Sequence, residues 1–131
     1  MDEQSREMLA RAYWDAVDDR DWDALRAVFT EDVAYHYYGG DTFYGPDEVV
    51  TFLRDSLLQS DEIDTREGTH EVFNWFANDE TTVGEGRSVG TEDGVAYDLR
   101  FVNVFEFDDT TERISEVRLY IRPETLPPSQ Q

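Results

Sequence analysis

The chain has 131 residues, of which 31 are acidic and 11 basic, and it contains no cysteine. This length suits a single domain over residues 1–131, and the lack of thiols excludes disulfides and thiolate chemistry. The net charge of −20 would repel nucleic acid and anionic membranes. The apolar runs are too short to span a bilayer, and the charged N-terminus is unlike a signal peptide. We therefore expect a cytoplasmic protein with no nucleic-acid or membrane partner.

The acidic residues are spread along the whole chain, and all 11 basic residues are arginine. Mimicry of nucleic acid is one interpretation, but it would favour a clustered acidic face. A halophilic origin, in a very salty cytoplasm, fits better, because concentrated salt screens the repulsion within a few ångströms. The charge therefore indicates where the protein works rather than what it does.

The first half of the chain is predicted to be mainly helical. Apolar residues recur at three- and four-residue spacing over 4–19 and over 21–29, which predicts two helices joined by a short polar break. An aromatic strand follows over 33–38, and Gly-Gly and Gly-Pro pairs then mark turns. Pro46 suits the first turn of a third helix over 47–58.

After a charged connection over 60–68, the rest of the chain is predicted to be β-structure. Four strands are expected, over 69–76, 81–90, 95–107 and 113–122. Gly84 and Gly86 interrupt the second of these and indicate a bulge where the sheet bends. Residues 123–131 are expected to be a mobile tail. The element order predicts an α+β fold, in which three helices lie on one face of a curved antiparallel sheet.

The strand over 95–107 alternates strictly, which predicts one buried face. That face carries Tyr97, Leu99, Phe101, Asn103, Phe105 and Phe107. Asn103 is the one amide on it, and a buried amide without hydrogen-bond partners costs about 1–3 kcal/mol. Asn103 is therefore either a satisfied core amide or a polar group that points into a pocket.

Several stretches resemble one fold family in their order and spacing. They are the helix pair and following strand over 13–33, the turn into the third helix over 44–50, and the final hairpin over 99–107 and 113–120. Over about residues 4–122 the chain resembles the nuclear-transport-factor-2-like superfamily, especially its SnoaL-like and ketosteroid-isomerase-like members. The resemblance implies a cone-shaped sheet wrapped around the helices, with an internal pocket open at one end. It also implies a homodimer formed through the outer face of the sheet.

The ketosteroid isomerases that the chain resembles combine an aspartate base with an oxyanion hole made of a tyrosine and a protonated aspartate. The tyrosine corresponds to Tyr13 and the protonated aspartate to Asn103, whose amide can still donate a hydrogen bond. The base corresponds to Tyr37, which cannot act as a base near neutral pH. Its neighbour His36 could, but adjacent strand residues point to opposite faces. Either the strand is shifted by one residue or the isomerase base is absent.

Each candidate residue has a structural interpretation beside its functional one. His36 is either a general base or a strand histidine that is bonded to a neighbour or faces a dimer partner. Tyr13 either lines the pocket or packs in the core. Arg118 either binds an anionic group of a substrate or pairs with Asp98 or Glu116. The other candidates for a substrate-binding wall are Tyr35, Tyr37, Phe52, Trp75 and Phe101. The histidine spacing is unlike a metal site and there is no glycine-rich phosphate loop, so we expect no metal and no cofactor.

Three functions remain open at this point. The first is a cofactor-independent isomerase, cyclase or hydratase that moves a proton on a small, mostly apolar carbonyl or hydroxyl compound, with His36, Tyr13 and Asn103 as catalytic residues. The second is a small-molecule-binding module that uses the same pocket without turnover. The third is a dimeric interaction domain whose cavity is filled by aromatic side chains. The fold does not decide among them, because one scaffold hosts many functions.

Overall fold

The computed structural model describes residues 1–37, 40–63, 69–78, 80–92 and 94–127, without the side chains of 57–63, 69 and 92. Within these residues the helices are α1 (Glu3–Asp19), α2 (Trp22–Ala27) and α3 (Pro46–Ile63). The strands are β1 (Phe29–His36), β2 (Thr42–Tyr44), β3 (Thr69–Ala77), β4 (Thr81–Glu92), β5 (Val95–Asp108) and β6 (Arg113–Ile121). A 3₁₀ helix over Pro123–Thr125 follows the last strand.

Two aspartates begin the first two helices. The Asp2 carboxylate accepts a hydrogen bond from the backbone N–H of Ser5 at 2.7 Å, and the Asp21 carboxylate accepts one from that of Ala24 at 3.1 Å. Such caps satisfy backbone donors that have no partner within the helix. Arg20, in the left-handed region at φ 53°, ends α1. The polar break between the helices is therefore short, as predicted.

The boundary between α2 and β1 differs from the prediction. α2 ends at Ala27 and β1 begins at Phe29, which is still helix in the predicted scheme. Phe29 lies opposite Ile114 of β6, and the Val28 carbonyl accepts a hydrogen bond from the Ile114 N–H at 2.8 Å. Pairing with a distant strand thus overrides the local helical spacing. Residue 38, the predicted end of the strand, lies outside the described residues.

α3 is longer than its apolar pattern predicts. It begins at Pro46, whose fixed φ suits a first helical turn, and it buries Val49 and Val50. It continues to Ile63, through the first part of the predicted charged connection. The rest of that connection, 64–68, lies outside the described residues. Neither α3 nor any other helix in the described part of the chain is long and apolar enough to cross a membrane.

The six strands form one sheet in the order β2-β1-β6-β5-β4-β3. All neighbouring strands are antiparallel except β1 and β6, which run parallel. The predicted α+β class is confirmed, but the curved sheet is mixed rather than wholly antiparallel. β2 is not predicted, because three residues are too few for a periodic pattern and pairing with β1 defines the strand.

The core lies between the helices and the face of the sheet that packs against them, which we call the inner face. The face of β5 that alternation predicts to be buried is the inner one, since Phe101, Asn103 and Phe105 are at most 4% exposed. The prediction for this strand is confirmed at these three residues, whereas Tyr97, Leu99 and Phe107 of the same face are only partly buried. The largest fully buried side chains of the core are Tyr13, Phe29, Tyr35 and Phe105.

The inner face of β4 carries small side chains, which allows atoms of the neighbouring strands to approach its backbone closely. These residues are Thr82, Gly84, Gly86 and Ser88. A Cβ on Gly86 would lie 2.5 Å from the backbone oxygen of Glu71 and 2.8 Å from Cζ of Phe101. A bulge is present here, but it lies in the partner strand β3, between Val72 and Asn74, and not at the glycines of β4 as predicted. Small residues on β4 thus permit the tight approach of β3.

The chain after β6 packs against the sheet at the point where a mobile tail is expected. Pro123–Thr125 forms a 3₁₀ helix, and Thr125 Oγ1 accepts a hydrogen bond from the Arg100 N–H at 2.8 Å. Leu126 is buried. Residues 128–131 lie outside the described part of the chain.

Candidate functional site

Two tyrosines, from α1 and β1, meet in the core. The hydroxyls of Tyr13 and Tyr35 lie 2.8 Å apart and share one hydrogen bond, and neither side chain is exposed. Burial raises the pKa of both phenols well above the usual value, so both stay neutral. Each hydroxyl has one hydrogen, so the hydroxyl that accepts within the pair still has its own O–H to donate elsewhere.

Asn103 lies on the inner face of β5 and is fully buried. Neither its Oδ1 nor its Nδ2 has a hydrogen-bond partner among the described residues. An unpaired buried amide is rare, because it costs about 1–3 kcal/mol unless something satisfies it. The described residues therefore do not satisfy this amide, so the first interpretation, a satisfied core amide, finds no partner among them.

Aromatic rings flank Asn103 along its strand and connect it to α1. Phe105 packs edge-on against Tyr13 with ring centroids 5.5 Å apart, and Phe101 packs against Trp14 at 4.9 Å. Asn103 lies between these two residues of β5, so its amide faces the segment of α1 that carries Tyr13. In apolar surroundings a hydrogen bond to a charged oxygen is stronger than in water. Amide N–H groups and a tyrosine O–H could together bind an oxygen of an apolar molecule.

His36 is not brought together with Tyr13 and Asn103. Its Nε2 lies 3.0 Å from Glu116 Oε1, and its Nδ1 lies 3.1 Å from Thr42 Oγ1. Because the preceding residue of β1 points into the core, alternation directs the His36 ring to the outer face of the sheet. The strand is therefore not shifted by one residue.

Arg118 also lies on the outer face, and its guanidinium contacts the carboxylates of Glu106 and Glu116. Hydrogen bonding to Glu106, with the nearby charge of Glu116, raises the pKa of Arg118. The ion pair with Glu116 that the sequence allows is present, whereas Asp98 pairs with Arg100 at 2.9 Å. No group of three or more histidine or acidic side chains in the described ranges is arranged to hold a metal ion.

The expected wall residues occupy two separate regions. Tyr37 follows β1, and its ring lies 5.1 Å from that of Phe52 on α3, which stacks on Phe43 at 4.2 Å. Trp75 lies on β3 at the far edge of the sheet, with the Arg11 guanidinium 4.8 Å from its ring centroid. Tyr35 and Phe101 lie in the core between these regions.

A contact between α1 and β3 was not indicated by the sequence. His70 Nδ1 lies 2.6 Å from Asp18 Oδ1, and the imidazole stacks on Trp14 at 4.4 Å. The strand register aligns His70 with Leu99, which is about 13 Å along β5 from Asn103. The His70 ring nevertheless packs against Phe101, which flanks Asn103, with ring centroids 6.0 Å apart. Burial, Tyr35 and, as the smallest contribution, the charge of Asp18 raise the pKa of Tyr13. This pair therefore borders the aromatic cluster that surrounds the tyrosine pair and the amide. No local pattern could have revealed it, since its members are 52 residues apart.

Comparison with models of protein families identifies the family of this chain. The model of the SnoaL-like domain matches residues 10–117, which include the tyrosine pair and Asn103. The chain belongs to the SnoaL-like family. The predicted resemblance is thereby confirmed at the level of the family. Comparison of this SnoaL-like chain with curated proteins found no significant match.

Solved structures share the fold of the SnoaL-like chain. A proposed SnoaL-like polyketide cyclase from Shewanella putrefaciens CN-32 has a TM-score of 0.78 at 16% identity, covering 95% of this chain and 94% of that one. An LEH-like epoxide hydrolase from M. tuberculosis has a TM-score of 0.73 at 20% identity, with coverages of 93% and 86%. A proposed ketosteroid isomerase from Kribbella flavida DSM 17836 has a TM-score of 0.73 at 22% identity, with coverages of 97% and 84%. At these identities the likeness concerns the fold alone.

Proposed function

We propose that this SnoaL-like protein binds a small, mostly apolar carbonyl or hydroxyl compound between α1 and the inner face of the sheet, and isomerises, cyclises or hydrates it without a cofactor. The observation that carries the proposal is the Asn103 amide, which is fully buried and has no partner among the described residues. An oxygen of the substrate would satisfy this amide. The free O–H of the Tyr13–Tyr35 pair is the second donor.

This chemistry depends on the stabilisation of negative charge on oxygen. When a base takes a proton from the carbon beside a carbonyl, the electron pair of the broken C–H bond moves toward the oxygen. The candidate base is the imidazole of His70, which packs against Phe101 beside Asn103 with ring centroids 6.0 Å apart. Donors held in a water-poor site stabilise that charge, and removing one such donor from an enzyme typically costs about 10²–10³-fold in rate. Asn103 suits this role because a neutral amide donates without a raised pKa. His36 takes no part in the proposed step, because its ring is bonded to Glu116 on the outer face.

A second candidate function is a binding protein without turnover. The neighbours of Asn103 within the sheet carry no titratable side chain on the inner face; they are Thr82, Gly84, Phe101, Phe105 and Leu119. A general base must lie within hydrogen-bond reach of the proton that it takes. If the His70 imidazole, which contacts Phe101 rather than Asn103, does not reach the substrate carbon, the same oxygen contact would hold a ligand and leave it unchanged.

The ketone 2-tetralone tests the oxygen contact and separates the two functions. We expect Asn103→Leu to weaken its binding about tenfold or more, because a hydrogen bond to a buried amide is lost. Titration calorimetry measures the affinity. In D₂O, NMR measures exchange of the hydrogens beside the carbonyl, which the wild-type protein should accelerate and the variant should not.

Asn74→Leu is the matched control, since the Asn74 amide is exposed on β3 and donates to Glu85 at 2.8 Å. It should leave both measurements unchanged. Equal affinities of the wild type and Asn103→Leu for 2-tetralone would contradict the oxygen contact. Binding that depends on Asn103 but brings no exchange would assign the second function.

The charge supports a further proposal, that the protein works in concentrated salt. We expect the urea midpoint of unfolding to be higher in 2 M than in 0.1 M KCl, because the screening length falls from about 10 Å at 0.1 M to about 3 Å at 1 M. Repulsion within a chain of net charge −20 falls with it. Sucrose of equal osmolality is the control, since it strengthens burial without screening. An equal rise in sucrose would argue against adaptation through charge.

A further inference from the structure

The imidazole of His70 is held in place by three residues of α1 and β5. The ring stacks on Trp14 with ring centroids 4.4 Å apart, and it meets Phe101 in a T-shaped contact at 6.0 Å. Trp14 and Phe101 also pack against each other, at 4.9 Å. The Nδ1 atom of His70 lies 2.6 Å from Asp18 Oδ1. Stacking and one hydrogen bond thus fix the orientation of this ring, although its strand lies at the edge of the sheet.

The bond to Asp18 determines which nitrogen of His70 carries the proton. An ionised carboxylate accepts hydrogen bonds and cannot donate one, so Nδ1 must be the donor. In the neutral imidazole the lone pair then lies on Nε2. A histidine without such a partner prefers the other form, with the proton on Nε2. Nε2 makes no hydrogen bond to a described residue, and the side chain is 14% exposed. Asp18 therefore leaves Nε2 as the basic nitrogen.

One helix carries the residues that hold this ring and a donor of the proposed site. Trp14 and Asp18 are four residues apart on α1, so both lie on the helix face that meets β3. Tyr13, whose hydroxyl bonds that of Tyr35, directly precedes Trp14. The position of the imidazole is thereby tied to the position of the tyrosine pair.

The surroundings of His70 favour a positive charge on the ring during proton transfer. The charge next to it comes from the Asp18 carboxylate, since its other neighbours in the described ranges are Trp14, Phe101 and, across the strand pair, Ser88. Asp18 lies in the last turn of α1, where the helix end carries a partial negative charge. Both charges attract the imidazolium that forms when Nε2 takes a proton.

We infer that Asp18 is a positioning residue, which holds His70 with its proton on Nδ1 so that Nε2 is the base of the proposed reaction. The inference rests on the proposed function and specifies how its base is held. Nε2 takes the proton from the carbon beside the carbonyl, and the electron pair of the C–H bond moves to the oxygen bound by Asn103. The imidazolium then returns a proton to carbon. Nδ1 keeps its own hydrogen, bonded to Asp18, throughout.

Nitrogen NMR of the imidazole tests the position of the proton directly. The chain has two histidines, so His36→Gln leaves the signals of His70 alone. With the ring neutral, long-range ¹H–¹⁵N spectra should show Nδ1 protonated and Nε2 bare. Asp18→Leu removes the acceptor and should move the proton to Nε2. Asp19→Leu is the matched control, because it removes the same charge from an exposed position at the same helix end and should leave the proton on Nδ1.

Hydrogen exchange of 2-tetralone in D₂O tests the role in proton transfer. At saturating 2-tetralone we expect His70→Gln to lower the exchange rate about 100-fold or more, and Asp18→Leu about tenfold or more. Asp19→Leu should keep the wild-type rate. The affinity for 2-tetralone should stay unchanged in all three variants, because none of these residues holds the oxygen. If the pair only linked β3 to α1, Asp18→Leu would lower the urea midpoint of unfolding without a selective loss of exchange.

A proton on Nε2 while Asp18 is present would overturn the inference, whether or not any variant folds. An exchange rate that survives Asp18→Leu would overturn it too. A wild-type protein that does not accelerate exchange would contradict the proposed catalysis and leave Asp18 as a structural partner of His70. Failure of the oxygen contact is a separate result, namely an unchanged affinity of Asn103→Leu while Asp18→Leu still slows exchange.

Discussion

Replacement of Gly86 by alanine is expected to disrupt the pairing of β3 with β4 and to lower the free energy of unfolding by about 3 kcal/mol or more. The added Cβ would lie 2.5 Å from the backbone oxygen of Glu71 and 2.8 Å from Cζ of Phe101. The backbone oxygen cannot rotate away, and the Phe101 ring is held by Trp14 at 4.9 Å. Relief therefore requires β3 to move at its bulge, which would disturb the inner face.

Gly84→Ala is the matched comparison, since it adds the same methyl group to the same face of the same strand. Its Cβ would meet only side-chain atoms, those of Trp75 and Val72, at 3.1 Å. Side chains can shift by a few tenths of an ångström, so we expect a smaller loss of about 1 kcal/mol. Urea unfolding followed by circular dichroism, at constant salt, measures both. A Gly86→Ala protein that is as stable as Gly84→Ala would contradict the steric argument.

A pH above about 10 is expected to destabilise the protein steeply through its buried tyrosines. Burial raises the pKa of Tyr13 and Tyr35 above the usual value, and also that of the half-buried Tyr37. Above pH 10 the buried tyrosines of the folded protein keep their phenolic protons, whereas the tyrosines of the unfolded chain lose theirs. Since the unfolded state then binds fewer protons, the free energy of unfolding falls as the pH rises. The fall is about 1.4 kcal/mol per pH unit for each fully buried tyrosine, and it is absent below pH 10.

Single replacements of the buried tyrosines by phenylalanine test the slope of the free energy of unfolding against pH. Tyr13→Phe and Tyr35→Phe should each reduce it by about 1.4 kcal/mol per pH unit in urea unfolding at alkaline pH. At pH 7 each variant leaves the partner hydroxyl unpaired, so it should also cost about 1–3 kcal/mol. Tyr120→Phe is the control, because this ring is 55% exposed on the outer face. A wild-type free energy of unfolding that stays constant from about pH 9 to 11 would refute the expectation.

Local periodicity was enough to predict most of the helices and strands of this protein. Side chains of a strand alternate whatever sheet the strand joins, so the pattern around Phe101, Asn103 and Phe105 indicated one buried face before any partner strand was known. The apolar stripe of the first helix placed Tyr13 inward for the same reason. The α+β class, and a lone amide inside the protein, follow from these two periodicities.

Contacts between distant segments were decisive for the site. Pairing with β6 starts β1 at Phe29, and after a register shift before Ala34 it aligns His36 with Arg118 on the outer face. The bond between Tyr13 and Tyr35 joins residues 22 positions apart, and the unpaired state of Asn103 depends on its neighbours from three strands and a helix. Periodicity indicates which face of an element is buried but not which atoms meet there. Hydrogen-bond partners are set by close packing of remote side chains, so they had to be read from the folded protein.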